Sequence, residues 1–271
     1  MRIGLISDIH FREKENTGTE AGAAADLRSC FGDFGDIRVD FMLQLGDIIN
    51  GSEASADDEL RHVVQVFREY TGVCRHVIGN HCLAVRREKL LPALGLQQAY
   101  YSFSIETFRF AVLDGMDVSI AGKAETEADL LLLERSLGEP GMHDYCGGIG
   151  ELQREWLGKE LEEAEKQNQQ VVVVCHFPLQ PATTDQKHGL LWNHHEMRRV
   201  LTASPAVRAC ISGHYHEGGY IMENGIHYLV LKSFVDRDEH PEAAWSVAEL
   251  HQTRLVVTGR NGLRLFDLEF N

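Results

Sequence analysis

Short apolar runs alternate with polar clusters along this chain, and the period of the apolar positions changes from one segment to the next. Runs rich in β-branched and aromatic residues predict strands at Arg2 to Ser7, Phe41 to Leu45, Cys74 to Ile78, Tyr100 to Ile105, Phe108 to Leu113, Val171 to Cys175 and Val207 to Ile211. Between them, Asp57 to Tyr70, Gly150 to Gln167 and His194 to Leu201 carry apolar residues at helical spacing; Leu152, Trp156, Leu157 and Leu161 form one stripe expected to pack on a core. In the C-terminal third, Gly219 to Met222, Ile226 to Leu231, Trp245 to Leu250, Arg254 to Val257 and Leu263 to Leu268 read as consecutive strands of a meander. Asn224-Gly225 and Asn261-Gly262 are hairpin signals, because both residue types tolerate positive φ. Strand–helix alternation followed by a meander predicts an α/β protein with mixed sheets. No repeat, low-complexity tract or linker marks a boundary, so a single domain over residues 1–271 is expected.

Composition narrows the function. Lys and Arg total 26 against 41 Asp and Glu, a net charge of −15, which offers no broad positive field for a nucleic-acid polymer. A small phosphorylated substrate is still compatible, since bound metal ions reverse the local field of an acidic protein. The first apolar run begins at Ile3 and leaves no room for a secretory leader, and no run is long enough to span a bilayer, so no membrane association is expected. Six scattered cysteines, with no Cys-x-x-Cys pair, fit a reducing cytoplasm. The oligomeric state is left open.

Five polar clusters each follow an apolar run: Asp8-Ile9-His10, Gly46-Asp47, Gly79-Asn80-His81, His176 and Gly213-His214-Tyr215-His216. In an open α/β sheet, residues past the carboxyl ends of strands converge on one edge, where ligands bind. Side chains two apart on an extended segment point the same way, so Asp8 with His10, and His214 with His216, are each expected to offer two ligands to one side. Glycines 46, 79 and 213 are expected to permit the sharp turns. The donors are two carboxylates, one amide oxygen and four imidazoles, enough for two ions if one carboxylate bridges. Nitrogen and oxygen donors without thiolate suit manganese, iron or zinc better than calcium or magnesium, with manganese preferred. Two such ions can clamp an in-line phosphoryl displacement.

The order D-x-H, GD, GNH, H, GHxH resembles the calcineurin-like metallophosphoesterases over residues 8 to 216. That resemblance implies a four-layer αββα sandwich of two mixed sheets flanked by helices. It further implies one metal, divalent or trivalent, on Asp8, His10, Asp47 and His216, and another on Asp47, Asn80, His176 and His214, with Asp47 as the bridge. His81 would be no ligand but would face the scissile phosphate and protonate the leaving oxygen or stabilise phosphoryl charge. A narrower resemblance rests on Leu43 to Ile49, Gly147-Gly148-Ile149 with Gln153 and Trp156-Leu157, Leu191-Trp192-Asn193, and Gly213 to Tyr220. These are similar to the manganese-dependent ADP-ribose/CDP-alcohol diphosphatases, which implies hydrolysis of the phosphoanhydride in nucleoside diphosphate-linked small molecules. Members of that family tend to carry Gln at the position of His10 and an acidic residue at that of Cys82.

The walls of the cleft are less defined. Trp192 could stack a nucleobase or simply pack, Asn193 could bond a phosphate or sugar oxygen or cap the following helix, and Phe11 is a candidate ring for a base or for the core. The polar, Gly-rich segment Phe11 to Ala25 lies near the site in sequence. The same metal site could also serve a phosphodiesterase acting on cyclic nucleotides or other diesters. A non-catalytic scaffold would be expected to have lost ligands, and all seven are present together with His81.

Overall fold

The computed structural model describes residues 1–12, 19–52, 54–139, 141–185 and 188–270. In chain order the strands are β1 (Arg2–Ile6), β2 (Phe41–Gln44), β3 (Cys74–His76), β4 (Tyr101–Ile105), β5 (Phe108–Val112), β6 (Gln170–Val174), β7 (Val207–Ser212), β8 (Gly219–Glu223), β9 (Ile226–Val230), β10 (Ser246–His251), β11 (Arg254–Gly259) and β12 (Arg264–Glu269). The helices are α1 (Thr19–Ile37), α2 (Ala56–Phe67), α3 (Arg87–Ala93), α4 (Glu127–Gly138), α5 (Glu151–Lys166) and α6 (His194–Ala203). Contacts divide the chain into two compact units, one of Met1–His76, His81–Gln98 and Lys232–Phe270, the other chiefly Val77–Asn80 and Ala99–Leu231. The result is an α/β protein with two mixed six-stranded sheets and accompanying helices, as the strand–helix alternation predicts.

The first unit holds a sheet of order β12-β11-β10-β1-β2-β3. β1, β2 and β3 run parallel, with Ile3 opposite Phe41 and Met42 opposite Cys74, while β10 lies antiparallel to β1 with Ala248 opposite Ile3. Parallel strands covered by helices must be apolar on both faces; β2 is accordingly buried at all four positions. α2 turns Leu60, Val63, Val64 and Phe67 inward, and the Phe67 ring meets Phe31 of α1 edge-on at 5.3 Å.

The second unit holds a sheet of order β4-β5-β6-β7-β9-β8. β5, β6, β7 and β9 are parallel neighbours, and antiparallel β4 and β8 close the edges. α5 buries Leu157, Leu161 and Ala164, together with the amide of Gln153. The predicted α5 stripe is rotated: Leu152 is exposed, and Trp156 is half-buried with its ring 5.0 Å from that of Tyr100.

The C-terminal strands do not form one meander. β8 and β9 are a hairpin in the second sheet, with β9 parallel to β7 (Ala209 opposite His227), whereas β10, β11 and β12 extend the first sheet beside β1. Both turn signals act as expected, with φ of 52° and 78° at Asn224-Gly225 and 58° and 74° at Asn261-Gly262. Helices α1, α3 and α4 were not predicted; each lacks a clean apolar stripe, since α1 contains glycines, α3 contains Pro92, and α4 exposes Leu130, Leu131 and Leu137. Among the described residues, no helix is long and apolar enough to cross a membrane, and the six cysteines are free.

Candidate active site

In the first unit the hydrogen bonding between β1 and β2 continues past the ends of the strands. Leu45 N–H donates to Ile6 O at 2.9 Å, Asp8 to Gly46 O at 3.3 Å, His10 to Asp47 O at 2.9 Å, and Phe11 to Ile48 O at 3.2 Å. This zipped pair of loops sets Asp8 and His10 beside Asp47. The backbone there is not extended: Asp8, His10 and Asp47 have φ of 49°, 46° and 49°. Left-handed backbone in non-glycine residues costs energy and concentrates at functional sites. Asp8 and His10 therefore converge through loop geometry, not through strand alternation. Of the three glycines expected to relieve the turns, Gly46 does so with φ of 104°, while Gly79 and Gly213 do not adopt positive φ.

The side chains of this cluster face one another. His10 Nε2 lies 3.9 Å from Asp8 Oδ1 and 3.8 Å from Asp47 Oδ2, and Ser7 Oγ donates to Asp8 Oδ2. His81 N–H donates to Asp47 Oδ1 at 2.9 Å, and its ring meets that of His10 edge-on at 4.5 Å. His81 Nδ1–H donates to Asn50 O at 2.5 Å, which makes Nε2 the unprotonated nitrogen of the neutral ring. Ligand-capable atoms of His10, Asp47 and His81 all lie within 4.8 Å of one another. Asp8 and Asp47 are almost wholly buried, and buried carboxylates are costly without compensating charge. Carboxylate and imidazole donors gathered this closely suit a transition-metal cation.

The second unit holds the other donors. His176 follows β6, His214 follows β7, and Gly213 N–H donates to His176 O at 3.0 Å, tying the two loops together. His176 is fully buried, with Nε2 3.2 Å from Asn80 Oδ1, so two of the predicted ligand atoms are in contact. Its ring meets that of His214 edge-on at 5.1 Å. His214 Nε2–H donates to His188 O at 2.7 Å, which fixes the ring and leaves Nδ1 as an acceptor. His214 also has a left-handed backbone, φ 68°, and His216 is half-buried two residues on.

The three candidate wall residues, Phe11, Trp192 and Asn193, are buried. Asn193 sits at the N-cap position of α6 without a side-chain cap bond; its Oδ1 accepts from Ile149 N at 3.0 Å and its Nδ2 donates to Ile149 O at 2.8 Å. Trp192 is 3% exposed and its indole N–H donates to His143 O at 3.1 Å; Phe11 is buried and bridges to Ile49. Trp192 and Asn193 thus anchor Gly147-Gly148-Ile149, since Trp192 N–H also donates to Gly147 O at 2.8 Å. Residues 13–18, within the Phe11 to Ala25 segment, fall outside the described residues.

Two features escaped the sequence reading. Tyr145, 39% exposed, stacks on His143 at 4.8 Å and lies 5.9 Å from the His214 ring. Burial pushes its hydroxyl up to about 12. Glu59 is buried on the apolar face of α2 beside Leu60 and Val63. An acidic residue within an apolar stripe was the available signal.

Residues 1–218 match a family model described as calcineurin-like phosphoesterase. The manganese-dependent ADP-ribose/CDP-alcohol diphosphatase of Arabidopsis thaliana is 32% identical over 258 residues, covering 84% of this chain and 81% of the relative. The protein of the same name from Homo sapiens is 25% identical over 258 residues, covering 81% and 75%. A crystal structure of a dimetal phosphatase from Danio rerio superposes with a TM-score of 0.84 at 25% identity, covering 100% of this chain and 99% of that one.

Proposed function

We propose, from the premise that this chain belongs to the calcineurin-like phosphoesterase family, that it hydrolyses the phosphoanhydride of ADP-ribose, CDP-alcohols or similar nucleoside diphosphate-linked small molecules. The chain is a metallophosphoesterase, a hydrolase of phosphate ester or anhydride bonds that works with divalent metal ions on a small phosphorylated substrate. The reading is carried by the buried convergence of Asp8, His10 and Asp47 on strained backbone, with His81 donating its N–H to Asp47. Burying acidic and imidazole groups at such conformational cost has a rationale when cations are held there.

In this reading Asp8, His10, Asp47 and His216 hold one ion, Asp47, Asn80, His176 and His214 hold the other, and the whole chain, 1–271, works as a single domain. The donor set fits, since carboxylate, amide oxygen and imidazole are ligands that manganese, iron and zinc accept. Manganese is favoured by the names of the relatives. When bound, the ions supply an activated water and neutralise charge on the phosphoryl oxygens. The protein's own groups do the rest. Asp47 is shared and held by the His81 N–H. His81, with Nδ1–H committed to Asn50 O, presents Nε2 toward the phosphate and protonates the departing oxygen. Tyr145 offers the exposed ring for a nucleobase. The free cysteines support a cytoplasmic location.

A phosphodiesterase acting on cyclic nucleotides or other diesters is the second reading, favoured by His10, which departs from the Gln usual in the narrower family. Manganese-loaded protein assayed with ADP-ribose, CDP-choline, cyclic AMP and a nitrophenyl diester separates the two. Turnover of ADP-ribose or CDP-choline to two phosphorylated products is expected. Turnover confined to the diesters would overturn the anhydride assignment.

A further inference from the structure

Glu59 is 1% exposed and lies on α2, after the loop that carries Asp47. Its oxygens accept from Gly51 N at 2.8 Å, from Ser55 Oγ at 2.6 Å and from Ser52 Oγ at 3.4 Å. The Gly51 N–H belongs to the same peptide group as the Asn50 carbonyl. That carbonyl accepts from His81 Nδ1–H at 2.5 Å. In a planar trans peptide the C=O and N–H point in opposite directions and share one delocalised system. One peptide group therefore joins the His81 imidazole on one side to a carboxylate on the other.

We propose that Glu59 is a positioning residue for His81, acting through the Asn50–Gly51 peptide as a relayed histidine–carboxylate pair. The proposal rests on the acid role assigned to His81 above. A carboxylate drawing on the Gly51 N–H polarises the peptide and makes the Asn50 oxygen a stronger acceptor, because hydrogen bonds in a chain reinforce one another at low dielectric. The consequence for His81 is a fixed tautomer and ring orientation, with Nδ1–H committed to the Asn50 carbonyl. No proton need reach Glu59.

The residues on either side of the relay peptide are themselves held. Asn50 N–H donates to Phe11 O at 2.9 Å, Asn50 Oδ1 accepts from Arg12 Nε at 3.1 Å, and a Cβ at Gly51 would lie 2.5 Å from His81 O. Gly51 itself has φ of 73°. This packing lets the peptide transmit a pull on one side to the other without swinging away. Ser52 and Ser55 satisfy the remaining carboxylate positions and so hold Glu59 in place.

The test is Glu59→Gln, which keeps shape and an acceptor for Gly51 but removes the carboxylate. On zinc-loaded, diamagnetic protein the His81 Nδ1–H proton resonance is expected to move upfield while the far-UV spectrum and metal content stay unchanged. On manganese-loaded protein kcat is expected to fall roughly tenfold with KM unchanged, a part of the ~10²–10⁴-fold that acid–base catalysis supplies. In a His81→Ala background the same substitution should cost nothing further, because coupled residues are not additive. An unmoved His81 resonance, or a loss of kcat that adds in full to that of His81→Ala, would overturn the relay. If His81→Ala alone turned over at the wild-type rate, the acid role would fail, and the resonance shift would still report on the relay separately.

Discussion

Gly51→Ala brings two penalties together at one residue of the first unit. The added Cβ would sit 2.5 Å from His81 O and 3.2 Å from the Ala84 side chain, and the residue would keep φ of 73°. A left-handed non-glycine residue costs about 1–2 kcal/mol. Relief of a backbone clash by local shifts costs about 1–3 kcal/mol more, so a total of about 2–5 kcal/mol is expected. At roughly 2–4 °C per kcal/mol for a protein of this size, Tm should fall by about 4–20 °C. Gly95→Ala is the matched control: its φ is 69°, and a Cβ there meets nothing within 4 Å. Thermal unfolding of both variants by calorimetry, with kcat measured in parallel, separates strain from clash. Gly51→Ala should lose clearly more Tm than Gly95→Ala, and it alone should lose kcat, since the displaced carbonyl belongs to His81. Equal losses in the two variants would refute the tight approach of Gly51 to the His81 loop.

Three further outcomes follow from other parts of the structure. His81→Ala should retain its metal ions by elemental analysis while kcat drops by roughly 10²–10⁴; loss of the ions would make His81 a ligand. Asn193→Ala strips the Asn193 partner from both the buried Ile149 N–H and C=O, which at ~1–3 kcal/mol per orphaned group predicts about 2–6 kcal/mol of destabilisation in denaturant with KM little changed. A raised KM at unchanged stability would restore Asn193 as a substrate contact. Burial lowers His76 from the usual 6.5 to about 4, so the folded state binds fewer protons than the unfolded one. The associated stability is complete above pH ~6.5, declines by roughly 3 kcal/mol as pH falls toward ~4 and is flat below that. Replacement by Gln should flatten that part of the pH–stability curve, and an unchanged slope would contradict the burial argument.

Most of the described strands were legible as short β-branched or aromatic runs ended by polar residues, as in Val171 to Val174 followed by His176. Partners were not legible. β10 lies antiparallel to β1 although Ala248 and Ile3 sit at opposite ends of the chain, and β9 enters beside β7 while β8 is pushed to the edge. Nothing local encodes such pairing, which is settled by which faces remain to be buried. α4 was hidden by its contiguous Leu130–Leu133 run, which has no helical period; its start is marked instead by the capping box of Thr126 and Asp129.

The site divides in the same way. Residue types after strand ends pointed to Asp8, His10, Asp47, His81, His176 and His214, and the structure sets the first four against one another in one unit and the last two in the other. The reason given for Asp8 with His10 was mistaken, because the loops are left-handed and zipped by backbone bonds that spacing cannot reveal. Trp192 and Asn193 looked like ligand contacts because aromatic and amide side chains do both jobs. The structure adds their hydrogen bonds to His143 and Ile149, which spacing could not reveal.

Metal stoichiometry and spin coupling test the shared-carboxylate site most directly. Protein saturated with manganese and examined by native mass spectrometry and electron paramagnetic resonance should hold two ions per chain with an exchange-coupled signal, and Asp47→Asn should abolish the coupling together with hydrolysis. One ion per chain, or two magnetically isolated ions that survive Asp47→Asn, would contradict a pair of cations held across Asp47.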